Sequence, residues 1–309
     1  PGERLRLLRE VANLDHVQVD DFVRTCQVDA SGPDFFFYDI SWANFSNGKP
    51  DVEALANETG VEVKDLATLK EAMQKTFERN AHVAIAVKSQ HAYQRTLKWR
   101  ERDNNDAARS LDCYLRDPEH ASEADCLCLG DWALARGVEL CIEYDLPFKI
   151  HTGYYAGHSR MPVDRIAAGH LTPLLARYPQ ARFILMHIAY PYSDELIALT
   201  KHYPNVYADL CWAWSINPYS ASDFVRRFIH AAPANKLFAF GGDTLWPQAA
   251  GAYAYQARRW LTHALQGEVD DGLLSEKEAI TLAARLMRDN QYACLRVAEK
   301  KATATQLAG

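Results

Sequence analysis

Long apolar runs are missing from this 309-residue chain. None approaches the roughly 18 residues of a membrane span, and no secretory signal is visible. An excess of basic charge is missing too. The formal net charge is −6, and the Lys and Arg residues are scattered, which is not the footprint of a nucleic-acid or anionic-membrane binder. Regularly paired cysteine is also lacking. The seven cysteines, at 26, 113, 126, 128, 141, 211 and 294, are odd in number in a large chain. That does not suit a secreted disulfide framework, so reduced thiols and a cytoplasmic setting are expected. Cys126 and Cys128 form CxC without a second pair, and read as buried helix residues rather than a zinc knuckle. No GxGxxG follows a strand and no Walker sequence occurs, so no phosphate or dinucleotide cradle is expected. No GxSxG occurs and no Ser or Cys has a convincing base, which disfavours acyl-enzyme chemistry.

What the chain has is alternation. Seven short apolar runs read as strands: HVQV from His16, FFFY from Phe35, VAIAV from Val83, FKI from Phe148, FILM from Phe183, VYADL from Val206 and LFAF from Leu237. Helical patterns cover 3–12, 51–79 with a break at Thr59-Gly60, 121–145, 165–177, 193–202, 221–231, 249–265 and 275–288. Lys98 to Asp106 reads as a solvated loop or helix end, and a polar tail begins at about 298. Nothing resembles a linker, so 1–309 is taken as a single α/β domain with a parallel sheet. A closed (β/α)8 TIM barrel needs eight strands. The chain starts at Pro1 and enters a helical pattern at once. The expectation is a barrel whose first strand lies upstream of Pro1. An open doubly wound sheet is the competing arrangement, but its glycine fingerprint is absent.

The candidate chemistry sits where strands stop. His151 ends FKI, His187 ends FILM, and Asp243 follows LFAF in FGGD. The two histidines are 36 residues apart, about one βα unit, so they would share one rim of the barrel. A lone histidine is more often a core or capping residue; three strand-end residues in this order outweigh that. Two imidazoles and a carboxylate suit Zn²⁺, with Mn or Fe as alternatives. Such an ion would activate a water, and Asp243 would take its proton. Lys88 ends VAIAV and could bind a substrate carboxylate, could be carbamylated and bridge two metal ions, or could simply be a rim lysine. Arg95 could clamp a carboxylate. Tyr154, Tyr190, Tyr192 and Trp246 could line a pocket, beside Tyr155, Trp212 and Trp214, or merely pack at the rim. Asp209 is a candidate partner for a ligand histidine or a cap. His16 and His82 precede or begin strands and read as structural. His158 and His170 lie in or just after the loop that follows His151, where nothing demands a role. His120, His202, His230 and His263 read as surface residues.

The succession VKSQHAYQRTL, LPFKIHTGYY, FILMHIAYPY, NVYADL and FGGDTLWP resembles the amidohydrolase-related metal-dependent hydrolases of TIM-barrel fold. It is most similar to the amidohydrolase-domain subgroup fused to glutamine synthetase in nodulin-like proteins. The likeness runs from about Leu5 to Arg296. It implies a metal site at His151, His187 and Asp243 and a ligand or substrate contact at Lys88; in the expected mechanism His187 polarises the substrate carbonyl or binds the metal. The family's first strand carries a His-x-His pair, and no HxH occurs in this sequence. That departure agrees with a first strand upstream of Pro1. If the chain is complete, the metal site would be crippled. The expected function is metal-dependent hydrolysis of an amide or related C–N bond in a small acidic molecule, without nucleic acid or membrane partners. The alternatives are a decarboxylase or uronate-isomerase-like enzyme on the same scaffold, and a catalytically inactive barrel used as a binding module. Assembly into a homo-oligomer is left open.

Overall fold

The computed structural model describes residues 2–157 and 160–309. Seven parallel strands form one sheet in chain order: β1 (Val17–Val19), β2 (Phe36–Ser41), β3 (Ala86–Ser89), β4 (Phe148–Ile150), β5 (Phe183–Leu185), β6 (Val206–Asp209) and β7 (Leu237–Phe238). Sequential order with every neighbour parallel is the topology of a TIM barrel, here with β1 and β7 as edges. The strands are short because each is an apolar run closed by polar residues. The first three also start one to three residues later than their apolar runs, whereas β4 to β7 start where the runs do. The VAIAV run pairs only from Ala86 and carries Lys88 and Ser89 into the strand, and β2 continues past Asp39 to Ser41.

The helices lie outside the sheet. After α1 (Gly2–Arg6) come α2 (Ala43–Ser46), α3 (Val52–Thr59), α4 (Leu66–Asn80), α5 (Asn104–Arg116), α6 (Glu123–Glu143) and α7 (Thr172–Arg177). Then follow α8 (Ser193–His202), α9 (Ala213–Ile216), α10 (Pro218–Ala231), α11 (Pro247–Asp270), α12 (Glu276–Ala284), α13 (Asn290–Leu295) and α14 (Val297–Ala308). Local chemistry sets their starts. Asp51, Asp65, Asp103, Ser122 and Ser275 each accept a backbone N–H from the first turn. Helix α5 is the element hidden in the polar stretch WRERDNND, where Asp103 caps a helix instead of sitting in a loop. The polar tail is helical as well. Val297 and Ala304 on α14 are buried, and Lys300 Nζ donates to the Ala81 carbonyl at 2.8 Å.

Besides a small cluster of Leu8, Phe35 and Phe36, two apolar layers hold the barrel. The larger lies between the strands and their helices, around Trp42, Phe77, Trp132, Phe148, Phe183, Trp214 and Phe224. The smaller joins Phe37, Ile85, Ala86, Ile184 and Phe238 to Cys294, Leu295 and Val297, so the chain around α13 plugs the floor. The seam between the edge strands is bridged by amides from the same segment. Asn290 Nδ2 donates to the Leu237 carbonyl at 2.8 Å, and Gln291 Nε2 to the Phe240 carbonyl at 3.0 Å. Gln18 Nε2, on β1, donates to Gln291 Oε1 at 3.2 Å. Among the described residues no helix is long and apolar enough to cross a membrane.

Candidate functional site

The carboxyl ends of the strands carry the polar side chains. His151 follows β4 and His187 follows β5, and both are buried. Their rings approach: His187 Nε2 is 3.0 Å from His151 Nδ1, with centroids 4.4 Å apart. His187 Nδ1 is 2.6 Å from the Cys211 carbonyl, which can only accept, so the His187 proton sits on Nδ1. Nε2 is then a lone pair that accepts from His151 Nδ1–H. That leaves His151 Nε2 buried and without a partner. Burial pulls the His151 pKa well below its ordinary value, assisted by His187 and Lys88. Burial also lowers His187, against the pull of Asp243. Both rings are therefore neutral near pH 7. Asp243, beyond β7, places Oδ2 at 3.7 Å from His187 Nε2.

The backbone here is strained. His187, Ile188 and Ala189 have φ of 59°, 47° and 49°, Trp212 has 62° and Asp243 has 47°. Side chains avoid this region unless the surroundings impose it, and such residues cluster at functional sites. The loop after β4 is threaded tightly against the loop after β5. At Gly153, φ 68°, a Cβ would lie 2.4 Å from the Ala189 carbonyl carbon, so only glycine fits.

Lysines line the inside of the barrel. Lys88 and Lys149 are register partners on β3 and β4. Lys149 Nζ lies 2.5 Å from Asp39 Oδ2 and donates to Gln18 Oε1 at 3.0 Å. Neither Asp39 oxygen has a hydrogen bond of good geometry, and burial pushes that carboxyl up to about 6. Lys88 Nζ donates to the Met186 thioether at 2.9 Å and lies 3.7 Å from Asp20 Oδ2. Burial pulls the Lys88 pKa down, but Asp20 and Asp243, with smaller help from Cys211 and Asp39, outweigh it and hold it above its ordinary value. Lys88 is thus a buried ammonium at the mouth. Burial raises Asp209 to about 7; its Oδ1 accepts the Cys211 N–H at 2.8 Å, so it shapes the turn that carries the carbonyl bonded to His187.

The other expected residues divide. Arg95 is a strut and not a clamp: its guanidinium is buried and donates to Asp131 and to the Ser46 carbonyl, tying the loop after β3 to α2 and α6. Trp214 is likewise structural, with Nε1 donating to the Ala239 carbonyl at 2.7 Å. Tyr190 and Tyr192 are half-buried against the core. Tyr154 and Trp246 are exposed, and the Tyr154 ring is 5.9 Å from Trp212. His16 is buried at the opposite end beside Asp15, and His170 Nε2 meets the Asp164 carbonyl at 2.7 Å. His158 lies outside the described residues. Sequence reasoning missed Asp20, Gln90 and Tyr93. Gln90 Nε2 donates to Asp20 Oδ2, and the Tyr93 and His151 ring centroids are 4.8 Å apart. Asp20 obeys the strand-end rule that picks out His151, since it directly follows β1.

Among the described residues no three His, Cys, Asp or Glu side chains converge closely enough to enclose an ion. The donor set nevertheless fits a divalent cation in kind. It offers two neutral imidazoles with facing nitrogens and one nearby carboxylate. The tautomer of His151 with its proton on Nε2 turns both facing nitrogens into lone pairs. Two surface concavities lie elsewhere and do not touch these groups, one beside Tyr144, Arg296 and Lys300, the other beside Lys49 and Tyr114.

Comparison with known proteins agrees with this architecture. Protein fluG of Emericella nidulans is 24% identical over 258 residues, covering 78% of this chain. The chain spans only 30% of that protein's length. Among solved structures, one described as a metal-dependent hydrolase of Lactobacillus casei superposes with a TM-score of 0.77 at 15% identity, covering 96% of this chain and 77% of its own. The uronate isomerase of Thermotoga maritima gives 0.78 at 14% identity, covering 94% of this chain and 69% of its own. The glucuronate isomerase of Caulobacter crescentus gives 0.77 at 16% identity, covering 94% and 66%. These likenesses show the shared fold. The amidohydrolase family profile matches residues 67–280, which is more than half of the sequence, and the chain belongs to the amidohydrolase family.

Proposed function

We propose that the protein is a metal-dependent hydrolase that cleaves an amide or related C–N bond of a small acidic molecule. The observation that carries the reading is the buried imidazole pair, with facing nitrogens 3.0 Å apart and Asp243 Oδ2 3.7 Å from one of them. His151, His187 and Asp243 would hold a divalent ion, with Zn²⁺ the first choice for such donors. When bound, such an ion supplies Lewis-acid polarisation of a carbonyl group.

The chain's own residues supply the rest. Asp243 Oδ2 accepts a proton from an attacking water and returns it to the leaving nitrogen. The Cys211 carbonyl keeps the His187 proton on Nδ1, so that Nε2 faces the site as a lone pair. Lys88, held as an ammonium by Asp20 and Asp243, offers a cation to a substrate carboxylate. Decarboxylation of an aromatic acid is the second reading, favoured by the Tyr93 ring against His151.

The test supplies Zn²⁺ or Mn²⁺ to the purified protein, follows thermal unfolding, and assays a panel of N-acyl amino acids and aryl acids. At a free metal concentration about 100 times Kd, binding to the folded state adds about 2.7 kcal/mol, read as a raised Tm. The rise should vanish in His151→Ala. Release of amine or ammonia supports hydrolysis, and release of CO₂ supports the second reading. A wild-type protein that binds neither ion overturns both.

A further inference from the structure

Helix α14 carries two consecutive lysines with different surroundings. Lys301 has a carboxylate: its Nζ lies 3.1 Å from Asp15 Oδ2 and 5.5 Å from the centre of the Tyr292 ring. Lys300 has none. Its Nζ donates to the Ala81 carbonyl at 2.8 Å and to the His82 carbonyl at 3.4 Å, and these are its only polar partners among the described residues. Lys300 also lines an open cavity of about 300 Å³, walled by the rings of Phe77 and Tyr144.

The charges around that cavity leave the amine without a counter-ion. Arg296, four residues earlier, is already paired with Asp145 and Glu299. Glu78 and His82 complete the titratable lining. The two carbonyls follow α4 and favour a cation, but burial pulls the Lys300 pKa down to about 8, with Arg296 assisting and Cys26, Glu299 and Asp145 opposing. An amine in that range is neutral in roughly a quarter of molecules at pH 7.5, against about one in a thousand for an ordinary lysine. A neutral amine beside open space is a nucleophile.

We propose that Lys300 is the preferred amine of this chain for acyl transfer from a small acyl phosphate, with the uncharged acyl group lodging in the floor cavity. The Nζ lone pair attacks the acyl carbon. The bond from that carbon to the phosphate oxygen breaks, phosphate leaves with the electron pair, and Nζ gives up a proton to water. The acylated nitrogen keeps a single N–H for two carbonyls, so one tether between α14 and the end of α4 is lost. This site owes nothing to the imidazole pair or to the reaction at the mouth.

The experiment exposes the whole purified protein to limiting acetyl phosphate at pH 7.5 and locates acetyl groups by peptide mass spectrometry. Lys300 should acetylate about tenfold faster than Lys301 or the exposed Lys64, because its larger neutral fraction outweighs its lower basicity and partial cover. Its rate should level off above about pH 8, while that of Lys64, whose pKa is raised by Glu62, keeps climbing. Thr303, three residues on, lines the same cavity and is not buried. Thr303→Glu offers Lys300 the missing carboxylate and should slow its acetylation about fivefold, leaving Lys64 unchanged. Labelling of Lys300 no faster than Lys64, a Lys300 rate that climbs with pH as Lys64 does, or an unchanged Lys300 rate in Thr303→Glu overturns the proposal.

Discussion

The two ends of the barrel handle a buried histidine in opposite ways. At the floor, His16 has Asp15 at 3.3 Å from Nδ1, and its ring packs edge-on to Phe37 and Tyr292. Asp15 in turn accepts from the Tyr292 hydroxyl and from Lys301. At the mouth, His151 shares its Nδ1 contact with another histidine and leaves Nε2 without a partner. The backbone repeats the contrast. Of nine non-glycine residues with positive φ among the described residues, six (Phe22, His187, Ile188, Ala189, Trp212 and Asp243) follow the carboxyl ends of strands. Strain and unsatisfied polar atoms each cost free energy, and they persist only where the surrounding structure imposes them. The floor is arranged for stability, and the mouth keeps groups free for something else.

Three substitutions would break or sharpen this contrast. The largest effect is expected at the mouth. Asp243→Asn should lower turnover by about 10²- to 10⁴-fold, because the proton acceptor is gone. The Asp243 side chain is not buried, so thermal unfolding should barely move. Activity close to wild type would remove Asp243 from the mechanism. Next is the floor. Leu295→Ala removes a fully buried side chain from the apolar plug, and the cavity should cost about 2–5 kcal/mol in urea unfolding. Turnover per folded molecule should stay unchanged; a parallel loss of turnover would mean that floor and mouth are not separable.

The smallest effect concerns Asp15. Its hydrogen bond from His16, with those from Tyr292 and Lys301, holds the carboxyl well below the usual carboxylate range. A depressed pKa contributes stability above the unfolded value of about 3.9, and loses it as pH falls from there through the folded value. Asp15→Asn should therefore flatten the acid limb of the stability curve, with a loss below about 1 kcal/mol at neutral pH because the pair is partly exposed. An acid limb as steep as wild type would place the acid sensitivity elsewhere.

Much of the architecture was legible because each strand is a short apolar run with a polar stop. The rule that strand ends face the site placed His151, His187 and Asp243 on one rim, and the structure pairs His187 with His151 at 3.0 Å and with Asp243 at 3.7 Å. The same rule applied to HVQVDD would have found Asp20. The fate of Arg95 was not legible, because its partner Asp131 lies 36 residues away on α6. Nor was α5, since an Asp that caps a helix and an Asp in a solvated loop look alike in a polar stretch. Tyr93 and Trp212 were hidden for a third reason. Ring-on-ring contact depends on how two loops from separate strands are aimed, and neither residue spacing nor hydropathy encodes that.

The amide bridge across the seam bears on how the fold assembles. Gln18 and Gln291 are 273 positions apart in the chain, so their contact is among the most non-local in the molecule. The loop entropy of such a contact must be met before it gives anything back, and non-local pairings of this kind slow folding. The β2–β6 arc can form from neighbouring βα units, while the seam awaits the chain around α13. The Gln18–Gln291 bridge is then expected to form after the β2–β6 arc, together with the chain around α13.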